Sequence, residues 1–141
     1  MYELKFEDKV KVWKDLRDKL ESSVKPFDLL NQFVKDLPRS TRKTNPWDPN
    51  SVAEPWHLIE NSSFTEYEIA LLCAYTLQLT DRFSEAKVEI HISKDIKEDI
   101  NMYLVYLDGS IVLGYNNEVF TSNKIPKSIV SQKVIHLPPL H

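Results

Sequence analysis

The groups in this chain with chemistry to offer are one thiol, Cys73, four imidazoles, His57, His91, His136 and His141, and carboxylates interleaved with lysine. A cysteine nucleophile needs a neighbouring imidazole and a setting that favours the thiolate, such as a helix N-terminus. Cys73 instead lies well inside the apolar run Ile69 to Leu77, so it reads as a small buried hydrophobe with an ordinary or raised pKa. His91 alternates with Val88, Ile90 and Ile92, which expects its imidazole on the wet face of a strand. A displaced pairing of Cys73 with His91 would make a cysteine-dependent peptidase or amidase, and this is the enzymatic alternative. His57, His136 and His141 have no acid or thiol at a telling spacing. One cysteine excludes an internal disulfide, and no zinc-ligand spacing occurs, so neither a metal site nor a cofactor is expected.

The carboxylates fall on the first amphipathic segment and in Lys94-Asp95-Ile96-Lys97-Glu98-Asp99, alternating with lysine as a solvated face does. Lys35, Arg39, Arg42 and Lys43 form the one basic cluster. With Trp47 nearby they could clamp a phosphate or a stacked base, but few charges on an acidic chain attract only weakly. Lys and Arg number 18 against 21 Asp and Glu, a net charge of -3, so neither nucleic acid nor an anionic membrane is expected as the main partner. Two glycines cannot build the glycine-rich phosphate cradles of kinases, P-loop enzymes and dinucleotide oxidoreductases. No stretch approaches the roughly 20 apolar residues of a spanning helix, and the N-terminus lacks the pattern of a secretory signal. A reducing compartment is expected.

The elements that must position these groups follow from periodicity. Phe6, Val10, Trp13, Leu16 and Leu20 predict an amphipathic helix ending near Ser22. Pro26 opens a second helix, with Phe27, Leu30, Phe33, Val34 and Leu37 inward and Pro38 as its stop. Residues 38–62 read as a connector pinned by prolines and tacked down by Trp47 and Trp56, with Pro55 opening a short helix. In Ser63-Phe64-Thr65-Glu66 the spacing predicts a capping box between Ser63 and Glu66, opening a central helix apolar on all sides. The period then changes to two at Val88, Ile90 and Ile92. Met102 to Leu107, apolar throughout, predicts a central strand, and Asp108-Gly109 and Asn116-Asn117 turn it through Ile111-Val112-Leu113 to Val119-Phe120. From Lys124 onward the prolines predict a short helix followed by an extended arm, Ile135-His136-Leu137-Pro138-Pro139-Leu140, which either lies on a neighbour or folds back on its own sheet.

This order, a tryptophan-proline segment, a capped helix, one strand and then two strands joined by a tight turn, resembles the core of transglutaminase-like and papain-like cysteine peptidases. Glu54-Pro55-Trp56-His57-Leu58-Ile59-Glu60-Asn61 and Tyr67-Glu68-Ile69-Ala70 look like the bacterial transglutaminase-like proteinases, over about residues 54–120. The resemblance implies a nucleophile, a histidine and an acid at positions that here hold Phe64, Asn101 and Gly114, none of which can play its part. The runs Pro55 to Ile59 and Ala70 to Leu77 also look like small proteins of contractile-tailed bacteriophages, which implies a host-cell or virion location and other phage structural or assembly proteins as partners.

The expectation is therefore one α+β domain: a helical hairpin (1–37), a Pro/Trp connector (38–62), a central buried helix on a small antiparallel sheet (63–122) and a C-terminal arm (123–141). Its function is expected to be non-catalytic, as a structural or assembly component of a tailed phage particle. Trp47, Trp56, Arg39, Arg42, Leu137, Pro138, Pro139 and Leu140 are the contact candidates, since Trp and Arg most often anchor interfaces and a proline-rich apolar arm gains by lying on a neighbour. An intracellular inhibitor or immunity protein is the remaining alternative.

Overall fold

The computed structural model describes residues 5–40, 53–116 and 118–138. Helices α1 (Phe6–Ser22) and α2 (Pro26–Lys35) make the hairpin, followed by α3 (Pro55–Glu60) and the central α4 (Glu66–Gln78). The strands are β1 (Val88–Asp95), β2 (Ile100–Leu107), β3 (Ile111–Tyr115), β4 (Glu118–Thr121) and β5 (Ile129–His136). They form one antiparallel sheet in the order β4-β3-β2-β1-β5. The α+β class and the element order up to β4 agree with the periodicity.

Helix α4 is the hub because its sequence has no polar stripe: every residue from Ile69 to Gln78 is buried. It packs against β1 and β2, while α2 packs against β3 and β4. The core face of the sheet brings Ile90, Val105, Leu107 and Leu113 against Leu71, Leu72 and Leu77 of α4. Each such aliphatic side chain contributes about 1.5–3 kcal/mol on full burial. Two polar side chains inside form a relay: Trp13 Nε1 donates to Thr76 Oγ1 at 2.8 Å, and Thr76 donates to the Leu72 carbonyl at 2.6 Å. Lys9 is buried with its ammonium on the carbonyls of Glu60 and Asn61, a cation at the C-terminal end of α3 where the helix dipole favours one.

Three expectations differ from the structure. The capping box lies two residues later: Thr65 Oγ1 accepts from the Glu68 amide and the Glu68 carboxylate from the Thr65 amide. Phe64 cannot be part of a first turn because its amide and carbonyl are committed to the chain at Pro38 and Ser40, in a parallel bridge. The C-terminal segment is a fifth strand rather than an arm: β5 pairs with β1, and Gln78 Nε2 donates to the carbonyls of Leu137 and Pro138. A bulge between Ile92 and Ser93 breaks the alternation in this pairing and hid the strand, although Ile129, Val130, Val134 and Ile135 are β-branched. Finally, the side of β1 that carries Glu89 and His91 is only partly wet: Glu89 is buried and His91 half-buried, because Tyr106 of β2 and Ser131 and His136 of β5 lie against them.

Candidate functional site

The resemblance places chemistry at the start of α4 and on the strands facing it, and a cavity of about 50 Å³ lies there, between α2, α4, β2 and β3. Cys73 and Ile69 from α4, Tyr103 and Val105 from β2 and Gly114 from β3 form its wall, and Arg39 and Glu66 stand at its rim. That volume admits a few water-sized groups; pockets that enclose small-molecule substrates are several-fold larger, about 300–1,000 Å³.

Each expected catalytic position has a structural occupant. Phe64 is completely buried, held by the strap of residues 38–40: its amide donates to the Pro38 carbonyl at 2.9 Å, and the Ser40 amide donates to its carbonyl at 2.8 Å. Gly114 sits at φ +104° beside a register shift, and a Cβ there would lie 2.9 Å from the Tyr103 carbonyl oxygen. No acid can be placed at this position without moving the backbone of β2. Asn101 pairs with Lys94 near the start of β2 and does not line the cavity, so the structure does not bring it beside Gly114. Tyr103 occupies the place across from α4 instead, its ring centroid 5.5 Å from that of Tyr67. Burial, and then the Glu66 carboxylate, push the Tyr103 hydroxyl pKa up.

Cys73 is buried, and burial pushes its thiol up to about 12. The cavity wall that Cys73 shares with Tyr103 and Val105 is the core face of β2. His91 pairs with Leu104 between these residues and therefore faces the opposite side of the sheet. The imidazole is not solvent-facing as the alternation had suggested. Its ring stacks on Tyr106 with centroids 3.8 Å apart, and Nδ1 hydrogen-bonds Ser131 Oγ of β5 at 2.7 Å. Burial lowers its pKa, opposed by the charge and hydrogen bonding of Glu89. The Glu89 side chain, 10% exposed, meets His136 Nδ1 at 2.8 Å and Lys87 Nζ and His91 Nε2 at 3.7 Å. This polar cluster was missed because it needs β5 beside β1, and only the long-range pairing supplies it.

The contact candidates separate. Trp56 is 47% exposed, its ring edge-on to the buried Trp13 at 5.6 Å, and it lines an open groove with Glu54, Pro55 and Leu79. Arg39 is not a free cation: Nε donates to Glu66 Oε1 at 2.8 Å, and the same guanidinium caps the carbonyls of Val34 and Leu37. Leu137 is buried in the core of its own chain, which removes it as a contact in trans. Pro138 is exposed, with its carbonyl bound by Gln78. Arg42, Trp47, Pro139 and Leu140 lie outside the described residues.

Among the described residues no group of three or more His, Cys, Asp or Glu could hold a metal ion, and no helix is long and apolar enough to cross a membrane. No family model, curated protein or solved structure matches this chain.

Proposed function

We propose that this protein works by binding other proteins, as a non-catalytic structural or assembly component of a tailed bacteriophage particle, on a scaffold that resembles a transglutaminase-like core without its catalytic residues. The observation that carries the protein-binding part is Trp56. A tryptophan half in water, backed by a second tryptophan and flanked by Pro55 and Leu79, leaves apolar area exposed that a partner would cover, and tryptophan is the residue type that most often dominates contact energy. The interior supports the same reading. Phe64 fills the expected nucleophile position, Gly114 admits no side chain, and the one thiol is buried in a cavity too small for a substrate. The phage context is supported by the likeness of Pro55 to Ile59 and Ala70 to Leu77 to phage proteins.

Quantitative mass spectrometry of purified particles from the protein's source tests the proposal. The chain is expected in particles or assembly intermediates at a fixed stoichiometry, and Trp56→Ala is expected to lower its incorporation at least tenfold while the chain stays folded. A chain absent from both, or a Trp56→Ala chain incorporated normally, defeats it.

A further inference from the structure

The hairpin carries a second open apolar surface, on its own side of the fold. A groove of about 320 Å³ runs between α1 and α2, floored by Val12, Leu16, Leu29 and Phe33 and rimmed by Asp15, Lys19 and Asp36. The lining positions on α1 are 12, 15, 16 and 19 and on α2 are 29, 32, 33 and 36, so each helix presents the i, i+3, i+4, i+7 stripe that normally receives another helix. Two such stripes side by side, about two helical turns or ~10 Å long, are the complement of a third helix.

The rim distinguishes what that helix would be. Counted outward from the connection at Ser23–Lys25, Lys19 lies at the near end of the groove, and Asp15 and Asp36 lie toward the far end. Among the described residues Asp15 makes no ion pair, and the Asp36 carboxylate accepts only from Gln32 Nε2, at 3.1 Å. Asp36 also stands at the C-terminal cap of α2, where a helix dipole favours cations and an acid gains nothing locally. Two carboxylates that form no ion pair among the described residues therefore flank an apolar floor at one end, with Lys19 one turn away from Asp15.

We propose that the groove between α1 and α2 docks an amphipathic helix of a partner protein, its apolar stripe on Val12, Leu29 and Phe33 and an Arg or Lys at one end of that stripe against Asp15 and Asp36. The proposal rests on the protein-binding reading above and names a surface and a partner chemistry for it. Recognition is two-part: the apolar stripe supplies contact area, and the carboxylates set the direction in which the helix lies.

The test uses the full chain, isotope-labelled for amide NMR, and two helix-stabilised peptides of identical Leu-rich stripe, one ending in Arg and one in Glu. The Arg peptide is expected to shift the amides of residues 12–19 and 29–36 and to bind at least tenfold more tightly than the Glu peptide. The exposed double substitution Asp15→Lys/Asp36→Lys, whose own spectrum reports that the fold is kept, is expected to reverse that order. Equal binding of the two peptides, shifts confined to other regions, or no binding of either overturns the proposal. So does a self-association by sedimentation that the double substitution abolishes, which would assign the groove to a second copy. A chain still found in particles after such a result would leave the broader function standing and remove only this groove.

Discussion

The two faces of the central strands β1 and β2 show how one stretch of sequence keeps two sets of reactive groups apart. Toward α4 stand Ile90, Tyr103 and Val105, and the last two share a cavity wall with the lone thiol of Cys73. On the other face the same strands turn out Glu89, His91 and Tyr106, which β5 completes with Ser131 and His136. Successive residues of a strand point to opposite sides, so a thiol on the α4 side and an imidazole one residue out of phase on the other cannot meet. Groups that composition alone would offer as a catalytic pair are divided by the sheet itself.

The contrast can be broken most severely from the α4 side. Phe64→Ala empties a site sealed by the strap of residues 38–40 and is expected to cost about 3–5 kcal/mol, read as a lower urea midpoint. A loss under 1 kcal/mol would mean that the strap collapses freely onto the gap. Next in size, Gly114→Ala is expected to cost about 1–3 kcal/mol, because alanine is strained at φ +104° and its methyl would press on the Tyr103 carbonyl. A neutral result would show that the shift in register at β3 is soft.

Smaller effects separate the faces by pH. The folded chain holds Cys73 protonated up to about 12, above its ordinary value of 9.0. The unfolded chain binds fewer protons in that interval, so the contribution of Cys73 to stability is complete below pH 9 and is lost as pH rises toward 12. Cys73→Ala should flatten that alkaline decline, and the native thiol should react with a disulfide reagent at neutral pH at least 100-fold more slowly than in urea; rapid native labelling would revive the peptidase alternative. His91 has the opposite sign. Burial depresses its pKa despite Glu89, so its contribution is present above its ordinary 6.5 and is lost as pH falls below that value. An NMR titration of the His91 ring beside Glu89, Lys87 and His136 should show its midpoint under 6.5, and a midpoint above it would mean that the Glu89 carboxylate dominates the site.

Much of the architecture was legible from local pattern. Phe6 to Leu20 carries a helical stripe, Pro26 and Pro55 stand at first helical turns, and the even apolarity of Ile69 to Leu77 marks a helix surrounded on all sides. The Asp108-Gly109 turn, both residues at positive φ, was equally plain. What local pattern misjudged was anything dependent on a distant partner. Ser63 and Thr65 are equivalent cap candidates until the bridge from Pro38 and Ser40 claims Phe64. The bulge hid β5, and with it the reason Glu89 and His91 are covered. Glu21 shows the same limit: its carboxylate accepts the amides of Asp81 and Arg82, sixty residues away, and reads in sequence as one more acid on a wet helix face.

By itself the sequence determined which segments become the helices and the first four strands, that the one cysteine lies in apolar surroundings, and that no glycine-rich phosphate loop can form, because these depend on residue type and on periods of a few residues. Only the tertiary structure decided which way each ionisable group faces and what it touches. Pairing β5 with β1 and drawing residues 38–40 over Phe64 are long-range events whose contacts leave no periodic trace in either partner alone, and they bring Ser131 and His136 against His91 and Glu89 and hold Phe64 by its backbone.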